Sequence, residues 1–449
     1  MTLAAIQAQE TWNGARQWSS ESLIARDHEV VSSAIYRYTD IAFARGEGVF
    51  LYDFEGRRYY DMAAGIATMN VGHCHPRVVW AIAEQAQTLI HAAAHVGYMA
   101  PYVEMAETLR ALMPAPLNEG KVMLLNSGSE AVEAALKLAR AATGRSMVLA
   151  FMDSFHGRPM GALAATGSNS GYRRALGALL NGVEHVPYPN CERCAFGHGP
   201  RTPQTCCGQW RAFIQTVLDK LVHPSDLAAI IVEPIAGEGG YIIPPDDFLP
   251  TLREICDRTG ALLIVDEVQT GLGRTGKWFA VEHSGVVPDI IALGKAIGGG
   301  LPLGAIVARA DVMHRWWPAA HGSTFGGNPI ACRAGLESIA IMREENLVRN
   351  AVEVGTHLMQ RFQEARAELP IIGSVRGRGL MIAVDLVTAD GQPLPTERLK
   401  QVIKALGQHG VIMTKCGPSA LRLAPALILT REQADEAASL TLQALQSVI

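Results

Sequence analysis

No stretch of this 449-residue chain runs for about 18 uninterrupted apolar residues, the length a helix needs to cross a bilayer. The first residues, MTLAAIQAQETWNGARQW, lack the basic start and the apolar core of an export signal. Together these absences predict a soluble chain that stays in the cytoplasm. An excess of one charge is missing too, since 39 Lys and Arg stand against 43 Asp and Glu, a formal net charge of -4. Such a balance offers no general cationic field for nucleic acid or anionic lipid, and it suits a small-molecule substrate better. Repeats, low-complexity tracts and an H-E-x-x-H metal motif are also absent.

What the chain does have is apolar material, 49% of its residues, in a length that exceeds what one core usually holds. We therefore expect an α/β protein with two domains. From about residue 120, short β-branched runs alternate with Ala- and Leu-rich stretches, the pattern of crossover units in a mainly parallel sheet. Candidate strands are 121–126, 147–151, 228–233, 261–266, 289–293 and 304–308; Ser129–Ala142 and Phe248–Arg258 read as helices. After Gly327-Asn328-Pro329 two helical stretches follow, Ile330–Glu345 and Leu347–Glu368, then strands at 380–387 and 421–424. The expected division is a large domain over 76–328 and a smaller α+β domain over 329–449. The N-terminal 1–75 holds a probable hairpin turning at Glu55-Gly56 and is expected to pack with the small domain.

Three strand ends carry chemistry. Asn126-Ser127-Gly128-Ser129-Glu130 closes a strand and opens a helix, where free backbone N–H groups and the positive dipole end can hold a phosphate. Its bland alternative is a capped helix, with Ser127 and Glu130 at capping-box spacing. The run Ala261-Leu262-Leu263-Ile264-Val265 ends in Asp266-Glu267, with Gln269 soon after. A carboxylate at the end of a buried strand needs a cationic partner, such as a protonated ring nitrogen or a metal. Finally, Lys295 follows the apolar run Ile290–Leu293 and precedes glycines. Desolvation there favours the neutral amine, the form that attacks a carbonyl.

Gly271-Leu272-Gly273-Arg274-Thr275-Gly276 is a literal G-x-G-x-x-G, which opens a second functional class, an NAD-dependent oxidoreductase. The dinucleotide reading wants a helix to start within the motif and an acid at the end of the next strand. Asp289 instead precedes its strand, so this reading ranks second.

In order and spacing these segments resemble the class III aminotransferases, fold-type-I enzymes dependent on pyridoxal phosphate, and among them the 4-aminobutyrate and other ω-amino acid aminotransferases. The resemblance implies that Lys295 carries the cofactor aldehyde and that Asp266 pairs with the pyridinium nitrogen. It also implies that Gln269 bonds the phenolic oxygen, that Phe155 stacks on the ring, and that Gly128 and Ser129 hold the phosphate. His156 and Glu233 fall among the cofactor-binding positions. Thr324, in Ser323-Thr324-Phe325-Gly326-Gly327-Asn328, matches the threonine that reaches the other subunit's cofactor, so a homodimer with shared active sites is implied. Arg158 and Arg422 match carboxylate-binding arginines, Glu238 a partner that pairs with Arg422 while the donor is bound, and Ile66 a pocket wall. Pro159 departs from the small polar residue that is usual after that arginine.

The activity implied is a ping-pong transfer, through pyridoxamine phosphate, from an ω-amino acid resembling 4-aminobutyrate to a 2-oxo acid such as 2-oxoglutarate or pyruvate. Ornithine or acetylornithine aminotransferase and broad ω-amine:pyruvate transaminase stand as alternatives.

Of eight cysteines, Cys191, Cys194, Cys206 and Cys207 share one insert, whose C-x-x-C followed by two adjacent thiols is open to metal, disulfide or free thiols. In a cytoplasmic setting most cysteines should be reduced.

Overall fold

Fifteen strands organise the computed structural model, which describes residues 18–177 and 179–448. Met1–Gln17, on which the expectation about export rests, lies outside the described residues. In chain order the strands are β1 Phe43–Glu47, β2 Phe50–Asp53, β3 Arg58–Asp61, β4 Lys121–Leu125, β5 Met147–Phe151 and β6 Val183–Val186. Then come β7 Leu227–Val232, β8 Leu262–Asp266, β9 Ile290–Leu293, β10 Gly304–Ala308, β11 Ile372–Arg378 and β12 Met381–Leu386. The last three are β13 Val411–Ile412, β14 Thr414–Cys416 and β15 Ala420–Leu423.

The central sheet has seven strands in the order β4-β10-β9-β8-β7-β5-β6. Every pair is parallel except those of β10, which runs against both β4 and β9. Ten residues, Gly294–Leu303, join β9 to β10, too short a link for a crossover, so the chain must return antiparallel. All six residues of β7 and all four of β9 are buried, as expected of strands covered on both faces. The expected strands appear within about a residue of their predicted ends. Strand β6 was not foreseen, because its Val-Glu-His-Val carries little apolar signal and it sits at the sheet edge.

The helix Gly128–Thr143 packs on this sheet through Ala131, Ala134, Ala135, Leu138 and Ala139, whose small side chains let the helix approach the strands closely. Ser127 caps its start and left-handed Gly144 its end. Two smaller four-stranded sheets complete the fold. One, β11-β12-β15-β14, is antiparallel throughout; the other joins the hairpin β1-β2-β3 to β13 near the C-terminus, with Val411 opposite Tyr60 in parallel register.

The G-x-G-x-x-G segment folds as a series of turns with no helix starting inside it, and Asp289 lies at the opposite end of β9, tied to Arg253 and Arg309. The residue that matters in this segment is Arg274, 1% exposed. Its guanidinium donates to the Leu380 carbonyl (3.1 Å), the Pro425 carbonyl (2.5 Å) and Asn70 Oδ1 (2.7 Å). A single side chain thus ties the central turn to both the N-terminal and C-terminal thirds of the chain. Burial pulls its pKa down to about 10, with Tyr241 acting in the opposite sense.

Replacing Arg274 with Met should keep the volume but strand three buried acceptors, costing roughly 3 kcal/mol of stability. A thermal midpoint unchanged from the parent protein would refute this account of the tie. Glu267 supplies a pH test. Burial is the main cause that lifts its carboxyl to about 7, against hydrogen bonds from Thr270 and the Val281 amide. A carboxyl raised on folding binds its proton more tightly in the native state than in the unfolded chain. Its contribution is therefore fully present below its ordinary value of 4.5 and lost as pH rises through about 7. Glu267→Gln should make the decline of thermal midpoint between those two pH values shallower.

Candidate active site

The parallel strands deliver three functional groups to one end of the sheet. Glu233 follows β7, Asp266 ends β8 and Lys295 follows β9, at the place where open α/β sheets bind ligands. Lys295 has a φ of 48° and opens the short helical turn Lys295–Gly298. Its stem keeps some accessible surface, but protein encloses the amine, and that enclosure lowers its pKa against the raising effect of Asp266 and Glu233. The neutral, nucleophilic form is thereby favoured.

Asp266 is buried and its carboxylate is held on both oxygens. Oδ2 is 2.7 Å from His156 Nδ1, and Oδ1 accepts from the Val268 amide at 3.0 Å. His156 is itself fixed through its backbone, which donates to Thr166 Oγ1. Glu233 accepts from the amides of Phe155 (2.7 Å) and Gly237 (3.0 Å), so it shapes the turn before His156 and the loop before Glu238. Burial first, and then Asp266, raise its carboxyl to about 7 against the opposing pull of His156. Gln269 lies alongside, since a Cβ built on Gly237 would be 3.0 Å from both its Nε2 and a Glu233 oxygen.

The phosphate-type turn abuts this group. A Cβ on Gly128 would stand 2.5 Å from Val268 Cγ1, and a Cβ on Gly294 2.9 Å from Gly128 Cα, so the helix start packs directly against the residue preceding Lys295. Ser127 Oγ accepts from the Glu130 amide, while Glu130 reaches Asn126 rather than closing the capping box. The first-turn hydroxyl is Ser129, and a Cβ on Gly157 (φ 134°) would meet its Oγ at 2.5 Å. The Phe155-His156-Gly157 turn therefore lies over the helix start.

Glu238 is expected to pair with Arg422 while the donor is bound; in the structure each of the two has another partner. Glu238 is hydrogen-bonded by the Tyr172 hydroxyl, not paired with Arg422. Arg422 is buried and donates through Nε to Thr414 Oγ1 at 2.9 Å. Both partners are neutral hydroxyl groups, which satisfy the acid and the guanidinium without forming a desolvated ion pair. Arg158 is exposed, its guanidinium 4.6 Å from the Tyr172 ring centre, and Phe155 meets the same ring edge-on at 5.8 Å. Tyr172 thus touches three of the expected site residues, although no motif in the sequence marks it. Tyr38, whose hydroxyl is influenced by Arg422 and Glu238, was missed for the same reason.

Ile66 is 44% exposed and so is not a core isoleucine. It sits with Ala64, Gly65 and Ala67 in a run of four positive φ values, which Asp61 supports by accepting from the Ala63 and Ala64 amides. A β-branched residue in left-handed backbone is strained, and such strain concentrates at functional sites. Thr324 is exposed, on a segment fastened by Asn126 Nδ2 donating to Ser323 Oγ at 2.7 Å.

All eight cysteines are unpaired. Among the described residues no group of three or more His, Cys, Asp or Glu side chains converges in metal-site geometry; Cys191, Cys194, Cys206 and Cys207 line one small cavity. The described residues likewise include no helix long and apolar enough to cross a membrane.

The chemistry of this pocket suits a cofactor bearing an aldehyde, a ring nitrogen and a phosphate. It offers an enclosed amine, a buried carboxylate and a helix start. Two buried polar atoms in the pocket walls, Gln269 Oε1 and His156 Nε2, have no protein partner.

Comparison with known proteins agrees. The chain is 38% identical to the 5-aminovalerate aminotransferase DavT of Pseudomonas aeruginosa over 89% of its length and 91% of that protein. It is 40% identical to the acetylornithine aminotransferase of Methanosarcina acetivorans, over 94% and 96%. Among solved structures, a PLP-bound amine transaminase from an uncultivated Pseudomonas species superposes with a TM-score of 0.84, at 32% identity and 98% coverage of both chains. The family model described as aminotransferase class-III matches residues 32–445, and the chain belongs to this family of pyridoxal-phosphate-dependent transaminases.

Proposed function

We propose that this chain moves an amino group from an ω-amino acid of the 4-aminobutyrate or 5-aminovalerate type to a 2-oxo acid such as 2-oxoglutarate or pyruvate. The observation that carries this reading is the Tyr172 hub, which sets an exposed guanidinium, Arg158, beside a carboxylate, Glu238, whose charge reaches a buried guanidinium, Arg422. Two separate cations suit two carboxylates held at different distances from the reacting carbon. The 5-aminovalerate relative supports the same substrate class, and the acetylornithine relative keeps donors of that length in view.

Bound pyridoxal phosphate would supply an electron sink for the substrate carbon that loses its proton. The chain's own residues divide the remaining work. Lys295 would hold the cofactor through its enclosed amine and, with that amine free and neutral, would take and return a proton at the substrate carbon as general base and acid. Asp266, oriented by His156, would keep the ring nitrogen protonated. Gly128 and Ser129 would hold the phosphate, Phe155 would cover the ring and Gln269 would bond its phenolic oxygen. Arg158 would take the donor's remote carboxylate while Ile66 walls the chain between. For the second substrate, Tyr172 holds Glu238 and leaves Arg422 free for an α-carboxylate, which a guanidinium grips through two parallel hydrogen bonds.

We further assign residues 76–328 to a large cofactor-binding domain and 329–449, with 1–75, to a small one. A homodimer is the assembly we expect. Exposed Val96, Tyr98, Trp317 and Phe325 are apolar side chains that an interface would cover, and it would bring Thr324 to the neighbouring cofactor. A cytoplasmic setting agrees with eight unpaired cysteines.

Adding 4-aminobutyrate or 5-aminovalerate to the holoprotein should bleach the visible band of the bound cofactor, and 2-oxoglutarate should restore it. Bleaching only by amines that carry no carboxylate would sink the donor assignment while leaving the family intact. Lys295→Ala should retain cofactor without covalent attachment and show no band exchange. Tyr172→Phe releases Glu238 toward Arg422, so KM for 2-oxoglutarate should rise about tenfold, the loss of roughly 1.4 kcal/mol, while the donor half-reaction changes little. Equal effects on both halves would assign Tyr172 a merely structural role.

A further inference from the structure

The insert between β6 and the helix Gln209–Lys220 is not used by the transaminase site, yet it gathers half of the chain's cysteines. Cys191, Cys194, Cys206 and Cys207 line one small cavity with Tyr188 and Trp210. Within it the thiols are not equivalent. Cys194 Sγ lies 3.6 Å from Cys207 Sγ, ordinary contact between two thiols, and both residues are partly exposed. Cys191 is buried and directs its thiol to the Pro189 carbonyl at 3.8 Å. A disulfide requires about 2.05 Å between sulfurs. Bond formation therefore needs the sulfurs of Cys194 and Cys207 to approach further, while the neighbouring insert is held by the Arg201 amide, which donates to the Cys191 carbonyl at 2.8 Å, and by buried Trp210.

The same insert braces the transaminase pocket. Glu192 accepts from Arg376 Nη1 and Ser374 Oγ, each at 2.8 Å, and Arg193 bonds Asp385 at 3.0 Å. Arg376 in turn donates to the Gly240 carbonyl at 2.6 and 3.0 Å, two residues past Glu238. Cys194 is therefore separated from the Glu238 loop by a short chain of charged hydrogen bonds.

We propose that Cys194 and Cys207 form a thiol–disulfide exchange site for low-molecular-weight disulfides of the glutathione class, and that closing the bond fixes the insert against Arg376. Cys194 is the attacking sulfur. Burial raises its pKa, but the amides of Phe196 and His198, the Cys207 thiol and Arg201 outweigh that and hold it below the ordinary thiol value. Its thiolate attacks one sulfur of the small disulfide, forming a mixed disulfide and expelling one small thiolate. Cys207, its proton passed to solvent, then attacks Cys194 Sγ and expels the second. In sum, two protein thiols and one small disulfide become one protein disulfide and two small thiols; the protein pair is oxidised by two electrons and the small disulfide reduced by two.

Trypsin can read the pairing directly, because Arg193, Arg201 and Arg211 place Cys191, Cys194 and the Cys206-Cys207 pair in three different peptides. Holoprotein equilibrated across a series of reduced-to-oxidised glutathione ratios is alkylated, digested and mapped by mass spectrometry. The expected result is loss of two hydrogens from the intact protein and a cross-link between peptides 194–201 and 202–211. Fragmentation within the second peptide should place the bond on Cys207. The cross-link should survive Cys206→Ser and vanish in Cys207→Ser. Native-state cleavage after exposed Arg201 should become several-fold slower in the oxidised form. Four outcomes overturn the proposal: no cross-link at the oxidising end, a bond that begins at Cys191, unchanged cleavage after Arg201, or one stoichiometric zinc ion that shields all four thiols.

Discussion

The constraint on which the site depends is the enclosure of one amine and two carboxylates at adjacent strand ends. Burying an unpaired charge costs far more than a domain's net stability can bear, so such groups must share protons or find partners. Lys295 does so by favouring its neutral form, Glu233 by a raised carboxyl and two amide donors, and Asp266 by His156. These compromises are what an amine that must attack a carbonyl requires. The apolar strands make them possible, since each fully buried Ile or Leu of β7 to β9 contributes roughly 1.5–3 kcal/mol toward offsetting the desolvation.

Around that centre, each recognition task falls to a different element. In the proposed reading, the helix start beside Gly128 would hold an anion, the turn at Phe155 would cover a ring, and the loop from Glu233 to Gly240 carries Glu238, the acid proposed to act on Arg422. Tyr172 couples these parts, because its ring lies against Arg158 and Phe155 while its hydroxyl holds Glu238. The proposed specificity therefore turns on which partner Glu238 takes, the Tyr172 hydroxyl seen in the structure or the buried Arg422 cation.

Two arginines, one buried and one partly buried, join distant parts of the chain around the site. Arg274 ties the turn after β8 to Asn70, Leu380 and Pro425, and Arg376 ties the cysteine insert to the Glu238 loop. Glycines that imitate a dinucleotide motif thus belong to a turn whose Arg274 donates to three protein acceptors. The cysteine insert, open in sequence to metal, disulfide or free thiols, shows Cys194 close to Cys207, a buried Cys191 and a partly exposed Cys206. The spacing of cysteines limits which pairs can meet but says nothing about where each sulfur points.

Periodicity and composition were enough to place the six main strands and the helices between them, because strands buried on both faces must be continuously apolar. The same logic marked Asp266 and Lys295, which are conspicuous at the ends of such runs. Short β6 escaped, as did the antiparallel turn of β10, which depends on the length of a connection rather than on residue type. Tyr38, beside Tyr36 in a loop, and Tyr172, at the end of the 3-10 turn Ser170–Tyr172, carry no local signal that marks them for the site. What the sequence determined by itself was the chemistry available: a lysine, acids and a helix start at strand ends. Only the tertiary structure decided which partner each group meets, because Glu238 with Tyr172, Asp266 with His156 and Cys194 with Cys207 are separated by 66, 110 and 13 residues and come together only when the chain packs.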